Sequence, residues 1–185
     1  MDFRQTYCFD DVLLTPKYSD IKSRSEVTLK SSLSPAISLN LPVISSPMDT
    51  VTESRMAMAM QRAGALGVIH RYNTIEQQSQ LVTHVSANND SVAAAIGVTG
   101  DFLERAQEVV AAGADVVCID IAHGHHVMMK DALKKLRSFF PDELHIMTGN
   151  VATLQAFDDL ADWGANSIRV GIGGGSICST RIVTG

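Results

Sequence analysis

Residues 168–180, Ile-Arg-Val-Gly-Ile-Gly-Gly-Gly-Ser-Ile-Cys-Ser-Thr, put one thiol, three hydroxyls and four glycines within thirteen positions. Glycines let a backbone turn tightly and bring its amides close to a ligand. Ser176 adds a hydroxyl, which together with those amides suits a phosphate. Cys178 follows at the end of the turn, and Thr180 lies two residues beyond it. A thiol among amide dipoles beside an anion site is the setting in which cysteine becomes an activated nucleophile. A glycine-rich loop alone says little, and a lone cysteine is most often a small buried hydrophobe. The combination is the informative part.

The remaining polar residues of interest fall into short groups: Ser46 to Asp49, His70, Asp120 to His126, and Asn150. Each group directly follows a short apolar run. Strands are expected over 41–45, 66–70, 92–98, 115–120, 145–150 and 167–170, and amphipathic helices over 52–63, 74–85, 101–112, 126–139 and 153–163. Each helical stretch begins near Thr, Asp or a similar capping residue, and three end close to Gly64, Gly113 or Gly164. Strands alternating with helices indicate a parallel sheet. Polar groups at the carboxyl ends of its strands suit a (β/α)8 barrel or a doubly wound sheet. The doubly wound alternative requires GxGxxG after the first strand, where this chain has Ser46-Pro47-Met48-Asp49. The expected fold is therefore a parallel α/β TIM barrel. Six strand–helix units are countable where a barrel has eight, and a complete barrel takes roughly 250 residues. Residues 1–185 are thus expected to form a single catalytic barrel domain, truncated after the cysteine loop.

Composition fits such a domain. The chain is 45% apolar and 19% charged, with a net charge of −5 and no long basic run, which argues against nucleic acid as a partner. No apolar run reaches ten residues, too short to cross a membrane. Cys8, Cys118 and Cys178 form no CxxC and no paired framework, and the polar amino terminus is unlike a secretory signal. A cytoplasmic location is expected.

Phe9-Asp10-Asp11-Val12-Leu13-Leu14-Thr15-Pro16, Ser45-Ser46-Pro47-Met48-Asp49, Gly67-Val68-Ile69-His70, Ile119-Asp120-Ile121-Ala122-His123-Gly124, Gly149-Asn150-Val151 and the cysteine loop stand in order along the chain. Together they resemble the inosine monophosphate dehydrogenase and guanosine monophosphate reductase family. The resemblance implies that Cys178 attacks C2 of a purine nucleoside monophosphate, with Thr180 beside it, while a hydride passes between that carbon and a nicotinamide. In the dehydrogenase, inosine monophosphate reduces NAD and water then releases xanthosine monophosphate. In the reductase, NADPH converts guanosine monophosphate to inosine monophosphate and ammonia. By the same resemblance, Ser46, Met48, Gly175 and Ser176 contact the nucleotide. Asp120, Asn150, Gly171, Ile172 and Gly173 face the cofactor. The carbonyls of Gly173, Gly175 and Cys178 match those that hold a monovalent cation, typically potassium, in the dehydrogenases. A homo-oligomer is implied, a tetramer in full-length members.

The chain departs from the family in places. Gly174 stands where proline, asparagine or serine is frequent, and Ala122 where many dehydrogenases carry serine. Ile121-Ala122-His123-Gly124-His125 looks more like some reductases, whereas residues 179–185 look more like dehydrogenases. Twenty residues separate His70 from Ser91, leaving no room for the paired nucleotide-sensing modules inserted in many dehydrogenases.

Other features have plainer readings. His123, His125 and His126 lack a nearby fourth zinc ligand, and polar contacts of a cofactor loop account for them better. Met56, Met58 and Met60 alternate by two within a helical stretch, cannot share one face, and are read as packing. Cys118 sits in an apolar strand as an inert core thiol. His70 is either a satisfied core histidine or a pocket liner. Outside the favoured class stand a different phosphate-binding barrel enzyme and an inactive fragment or nucleotide-binding module. The first has no use for a cysteine after the sixth strand, and the retention of Ser176, Cys178 and Thr180 argues against decay of the chemistry in the second, although the 185-residue chain by itself is expected to show no turnover.

Overall fold

The computed structural model describes residues 5, 7, 9–87, 91–140 and 144–183. Cys8 lies outside them. A small antiparallel hairpin, β1 (Ser31–Ser34) and β2 (Ile37–Leu39), precedes the main sheet. The main sheet has six parallel strands in chain order: β3 (Ile44–Ser45), β4 (Leu66–Ile69), β5 (Ala93–Ile96), β6 (Val116–Asp120), β7 (His145–Val151) and β8 (Ser167–Val170). Helices α1 (Ser54–Arg62), α2 (Ile75–Ser86), α3 (Phe102–Ala111), α4 (Val127–Phe139) and α5 (Leu154–Asp162) alternate with them, and a short α6 (Thr180–Val183) follows the cysteine. The sheet curls as part of a (β/α)8 barrel, as the sequence leads one to expect.

The apolar strand runs are explained by burial on both faces, the usual condition of parallel sheets. Side chains alternate along a strand with a period of two. Ala93 and Ala95, Val116 and Cys118, and Met147 point inward with Leu66 and Val68, where Ile37 and Leu39 of the hairpin cover them. Ala94 and Ile96, Val117 and Ile119, and Ile146 point outward against Val82, Val109, Leu133, Leu136 and Leu160 of the helices. Burying one such aliphatic side chain stabilises the fold by about 1.5–3 kcal/mol. The hairpin is the element the sequence analysis missed. Its serine-rich strands show no apolar alternation until Ile37 and Leu39, which are 4% and 5% exposed.

Three helix starts follow local chemistry. Thr74 and Gln77 form a reciprocal capping box on α2, the Thr153 hydroxyl accepts from Ala156 N at 3.2 Å on α5, and His126 Nδ1 accepts from Met128 N at 3.1 Å on α4. Two expected caps are used elsewhere. Thr52 does not cap α1; its hydroxyl lies 2.9 Å from Ser45 Oγ and donates to Ser46 O at 2.7 Å, which pins the loop after β3. Asp101 makes no side-chain cap on α3 and pairs with Arg105 instead. Gly64, Gly113 and Gly164 each take positive φ just past a helix end, the left-handed turn that closes a helix. Of the three methionines on α1, Met58 packs against the outer core while Met56 is exposed.

Candidate active site

Parallel pairing in the order β4-β5-β6-β7-β8 brings the carboxyl ends of these strands to one edge of the sheet. In register, Asp120 stands opposite Gly149 and Gly149 opposite Arg169. A side chain at 149 would meet Arg169: an added Cβ would fall 2.6 Å from Arg169 Cβ. With glycine there, the Arg169 guanidinium reaches across β7 to pair with the Asp120 carboxylate and approaches Cys118 Sγ at 3.7 Å. The ladder then shifts between Gly149 and Val151 and leaves Asn150 out of pairing with β8. Such a bulge re-aims one side chain. Asn150 Nδ2 donates to Gly171 O at 2.9 Å, which ties the end of β7 to the first glycine of the cysteine loop. Asn150 O accepts from Gly124 N at 2.7 Å, which fixes the loop after β6.

These strand ends enclose a cleft of about 360 Å³. Asp120, Asn150, Ile172, Gly173 and Thr180 line it, so most of the expected cofactor side comes together there. Gly171 adjoins through its bond to Asn150. Ser46, Met48, Gly175, Ser176 and Cys178 do not line this cleft. Ser46, Gly175 and Ser176 are exposed, as is Met48 at 52%.

Cys178 joins the cleft through Thr180. Its Sγ lies 3.3 Å from Thr180 Oγ1, and its amide donates to Gly175 O at 3.0 Å. Hydrogen bonds from the Thr180 side chain and backbone, with a smaller contribution from the Arg181 charge, hold the thiol below its ordinary pKa. Cys118 behaves oppositely: complete burial pushes its pKa up to about 12 despite the neighbouring Arg169. One thiol is prepared to ionise and the other is kept neutral.

Sequence reasoning missed Arg71, Tyr72 and Arg169 as cleft residues. Arg169 stands within the loop motif, and a charged residue between the apolar Ile168 and Val170 of an expected strand was the available signal. Arg71 and Tyr72 follow His70 directly. The Arg71 guanidinium sits 5.3 Å from the Tyr72 ring centroid and donates to Asp120 O at 3.3 Å. His70 itself is buried, 3% exposed; its Nδ1 accepts from Tyr72 N at 3.1 Å and its Nε2 lies 3.4 Å from Glu53 Oε1. It also borders a second cleft that contains Glu53 and His84, so both readings of His70 apply. Of the histidine triplet, His125 Nε2 pairs with Asp159 Oδ2 at 2.8 Å and stacks on Trp163, while His126 caps α4.

Comparison with known proteins gives a consistent picture. A family model described as the IMP dehydrogenase / GMP reductase domain matches residues 6–185. The chain is similar to inosine-5'-monophosphate dehydrogenase of Nitrosopumilus maritimus (strain SCM1), at 30% identity over all of this chain and 65% of that protein. It is 35% identical to the Borreliella burgdorferi enzyme of the same name, over 98% of this chain and 57% of the relative. With the one from Cryptosporidium parvum it shares 37% identity, over 96% of this chain and 54% of the relative. The chain thus spans between 54% and 65% of the length of these relatives.

Proposed function

The chain belongs to the IMP dehydrogenase / GMP reductase family, and on that premise we propose that it carries the nucleophile and the cofactor side of a purine-nucleotide oxidoreductase. The reaction is the oxidation of inosine monophosphate by NAD to xanthosine monophosphate. The observation that carries this reading is the contact between Cys178 and Thr180: Thr180 touches the thiol and lines the cleft of Asp120 and Asn150.

The Cys178 thiolate adds to C2 of the purine across the C2–N3 double bond, N3 takes a proton, and the tetrahedral carbon can then lose its hydrogen as hydride. Water next adds to C2 and the C–S bond breaks, which frees xanthosine monophosphate and the thiolate and turns one hard step into two. Thr180 Oγ1 stabilises the thiolate before attack. Ser176 and the neighbouring amides of the loop hold the 5'-phosphate, while Ser46, Met48 and Gly175 border the nucleotide. When bound, NAD supplies the hydride acceptor. The cleft suits its nicotinamide end. Asn150 has given its Nδ2 to Gly171 O, which leaves Oδ1 as acceptor for a carboxamide N–H. Asp120 is fixed by Arg169, Ile172 and Gly173 line the cleft, and Gly171 adjoins them through its bond to Asn150. The carbonyls of Gly173, Gly175 and Cys178 are the proposed ligands of a potassium ion. Gly175 O already accepts from Cys178 N, and the second lone pair of a carbonyl remains for the ion.

The second reading, guanosine monophosphate reduction by NADPH, rests on the Ile121-Ala122-His123-Gly124-His125 version of the loop after β6. Absorbance at the nicotinamide band separates the two: inosine monophosphate with NAD raises it, and guanosine monophosphate with NADPH lowers it. Signal in neither mixture from a protein that carries this chain within a complete barrel refutes the oxidoreductase reading, whereas residues 1–185 alone are expected to give none.

We also place the protein in the cytoplasm as a homo-oligomer, a tetramer like the full-length members. No helix among the described residues is long and apolar enough to cross a membrane. Leu13 and Leu14, each 97% exposed, and Tyr18, 95% exposed, are apolar side chains open to a partner surface, which supports self-association.

A further inference from the structure

Behind the cleft a buried polar chain runs between α2, α3 and the sheet. Gln78 on α2 is fully buried, and its Nε2 donates to Ala95 O of β5 at 2.8 Å. Its Oε1 accepts from Arg105 Nη1 at 3.0 Å. Arg105 on α3 is 7% exposed, and its Nη2 donates both to Asp101 Oδ2 at 2.9 Å and to Asn73 O at 3.1 Å. One guanidinium therefore joins the loop after β4 to the loop after β5. The β4 loop, 70–73, carries Arg71 and Tyr72 into the cleft. The buried Asn73 Oδ1 has no hydrogen-bond partner among the described residues, so beside the bonds of Tyr72 N to His70 and of Arg71 to Asp120 O the Arg105 fork is the tie on the Asn73 side of the loop. A buried ion is a poor way to gain stability, since apolar residues of like volume do as well or better. A planar fork with several donors is a good way to fix acceptors from three segments relative to one another.

We propose that Arg105 is a positioning residue for the cofactor cleft: through the Asn73 carbonyl it fixes loop 70–73, and thereby the places of Arg71 and Tyr72. The assignment of a cofactor to that cleft rests on the function proposed above; the fixing of the loop does not. Arg105→Met removes all three hydrogen bonds while keeping much of the apolar stem.

Hydrogen exchange followed by mass spectrometry, together with calorimetric titration of NAD, tests this in the 185-residue chain. In Arg105→Met, exchange at the amides of residues 71–74 is expected to quicken about tenfold or more, a change worth about 1.4 kcal/mol. Amides of α4 and α5 are expected to keep their wild-type rates. The NAD dissociation constant is expected to rise about tenfold and that of inosine monophosphate to stay within about twofold. Arg105→Lys, which keeps the charge but loses the fork, is expected to fall between and serves if the methionine variant does not fold. Unchanged exchange at 71–74 in a folded variant overturns the proposal, as does equal loosening of every helix. If the wild type binds no NAD while 71–74 still loosen, the cofactor reading fails and the loop-fixing role stands.

Discussion

Cys178 Sγ lies 3.3 Å from Thr180 Oγ1, across the start of α6, while Cys118 Sγ is sealed inside the sheet beside Arg169. The two thiols therefore differ in reactivity by design of their surroundings. Cys178 ionises below the ordinary thiol value of 9.0, and Cys118 only near about 12. Iodoacetamide at pH 7.5 is expected to label Cys178 and to spare Cys118 until the chain unfolds, as read by peptide mass spectrometry. Thr180→Val should shift the alkylation midpoint of Cys178 to higher pH. Equal labelling of both thiols in the native state would contradict this.

The pairing of Asp120 with Arg169 is partly buried, with side chains 19% and 27% exposed. Arg169→Met leaves a carboxylate without its partner in the cleft and is expected to destabilise by about 2 kcal/mol, between the values for exposed and fully buried pairs because water reaches it. Asp120→Asn in the same background should recover much of that loss. A double-mutant cycle in urea that returns no coupling would show that the pair is solvated and idle.

The loop glycines are not equivalent. Gly173 has φ +62°, and an added Cβ would fall 2.9 Å from Arg181 N. Gly174 has nothing within 4 Å of an added Cβ. Gly173→Ala is expected to displace α6 and reduce turnover at least tenfold, about 1.4 kcal/mol, whereas Gly174→Ala should leave turnover within about threefold. Equal effects of the two substitutions in a steady-state assay would mean that the loop takes another shape in the working enzyme.

His145 gives a pH dependence. Burial, and secondarily the Arg137 charge, lowers its pKa. An unfolded histidine titrates near 6.5. Between that value and the lower folded one, the unfolded chain binds a proton that the folded chain does not. Stability therefore falls as the pH drops below about 6.5 and levels off below the folded pKa. His145→Phe should flatten this part of the profile in urea midpoints taken between pH 7.5 and 5.5. An unchanged slope would assign the dependence to other groups.

How much of this was legible beforehand varies with its physical origin. The strands 66–69, 93–96 and 116–120 announced themselves because burial on both faces leaves an uninterrupted apolar run, as in Ala93-Ala94-Ala95-Ile96. Asp120, Asn150 and Thr180 could be read from motif and strand end together, and they meet in one cleft. The hairpin was hidden because only Ile37 and Leu39 mark it. Arg71 and Arg105 were hidden for another reason. Their roles depend on which carbonyls stand nearby after folding, Asp120 O for one and Asn73 O for the other, and no spacing along the chain encodes that.

The central claim is that Cys178 forms a covalent bond to the purine. Protein carrying this chain, mixed with inosine monophosphate and NAD and quenched in acid within a turnover, should yield a Cys178 peptide heavier by the oxidised nucleotide. The Cys178→Ala protein should show neither adduct nor NADH, while binding inosine monophosphate within about tenfold of wild type, or 1.4 kcal/mol. NADH formation by Cys178→Ala at a near-normal rate would contradict the account.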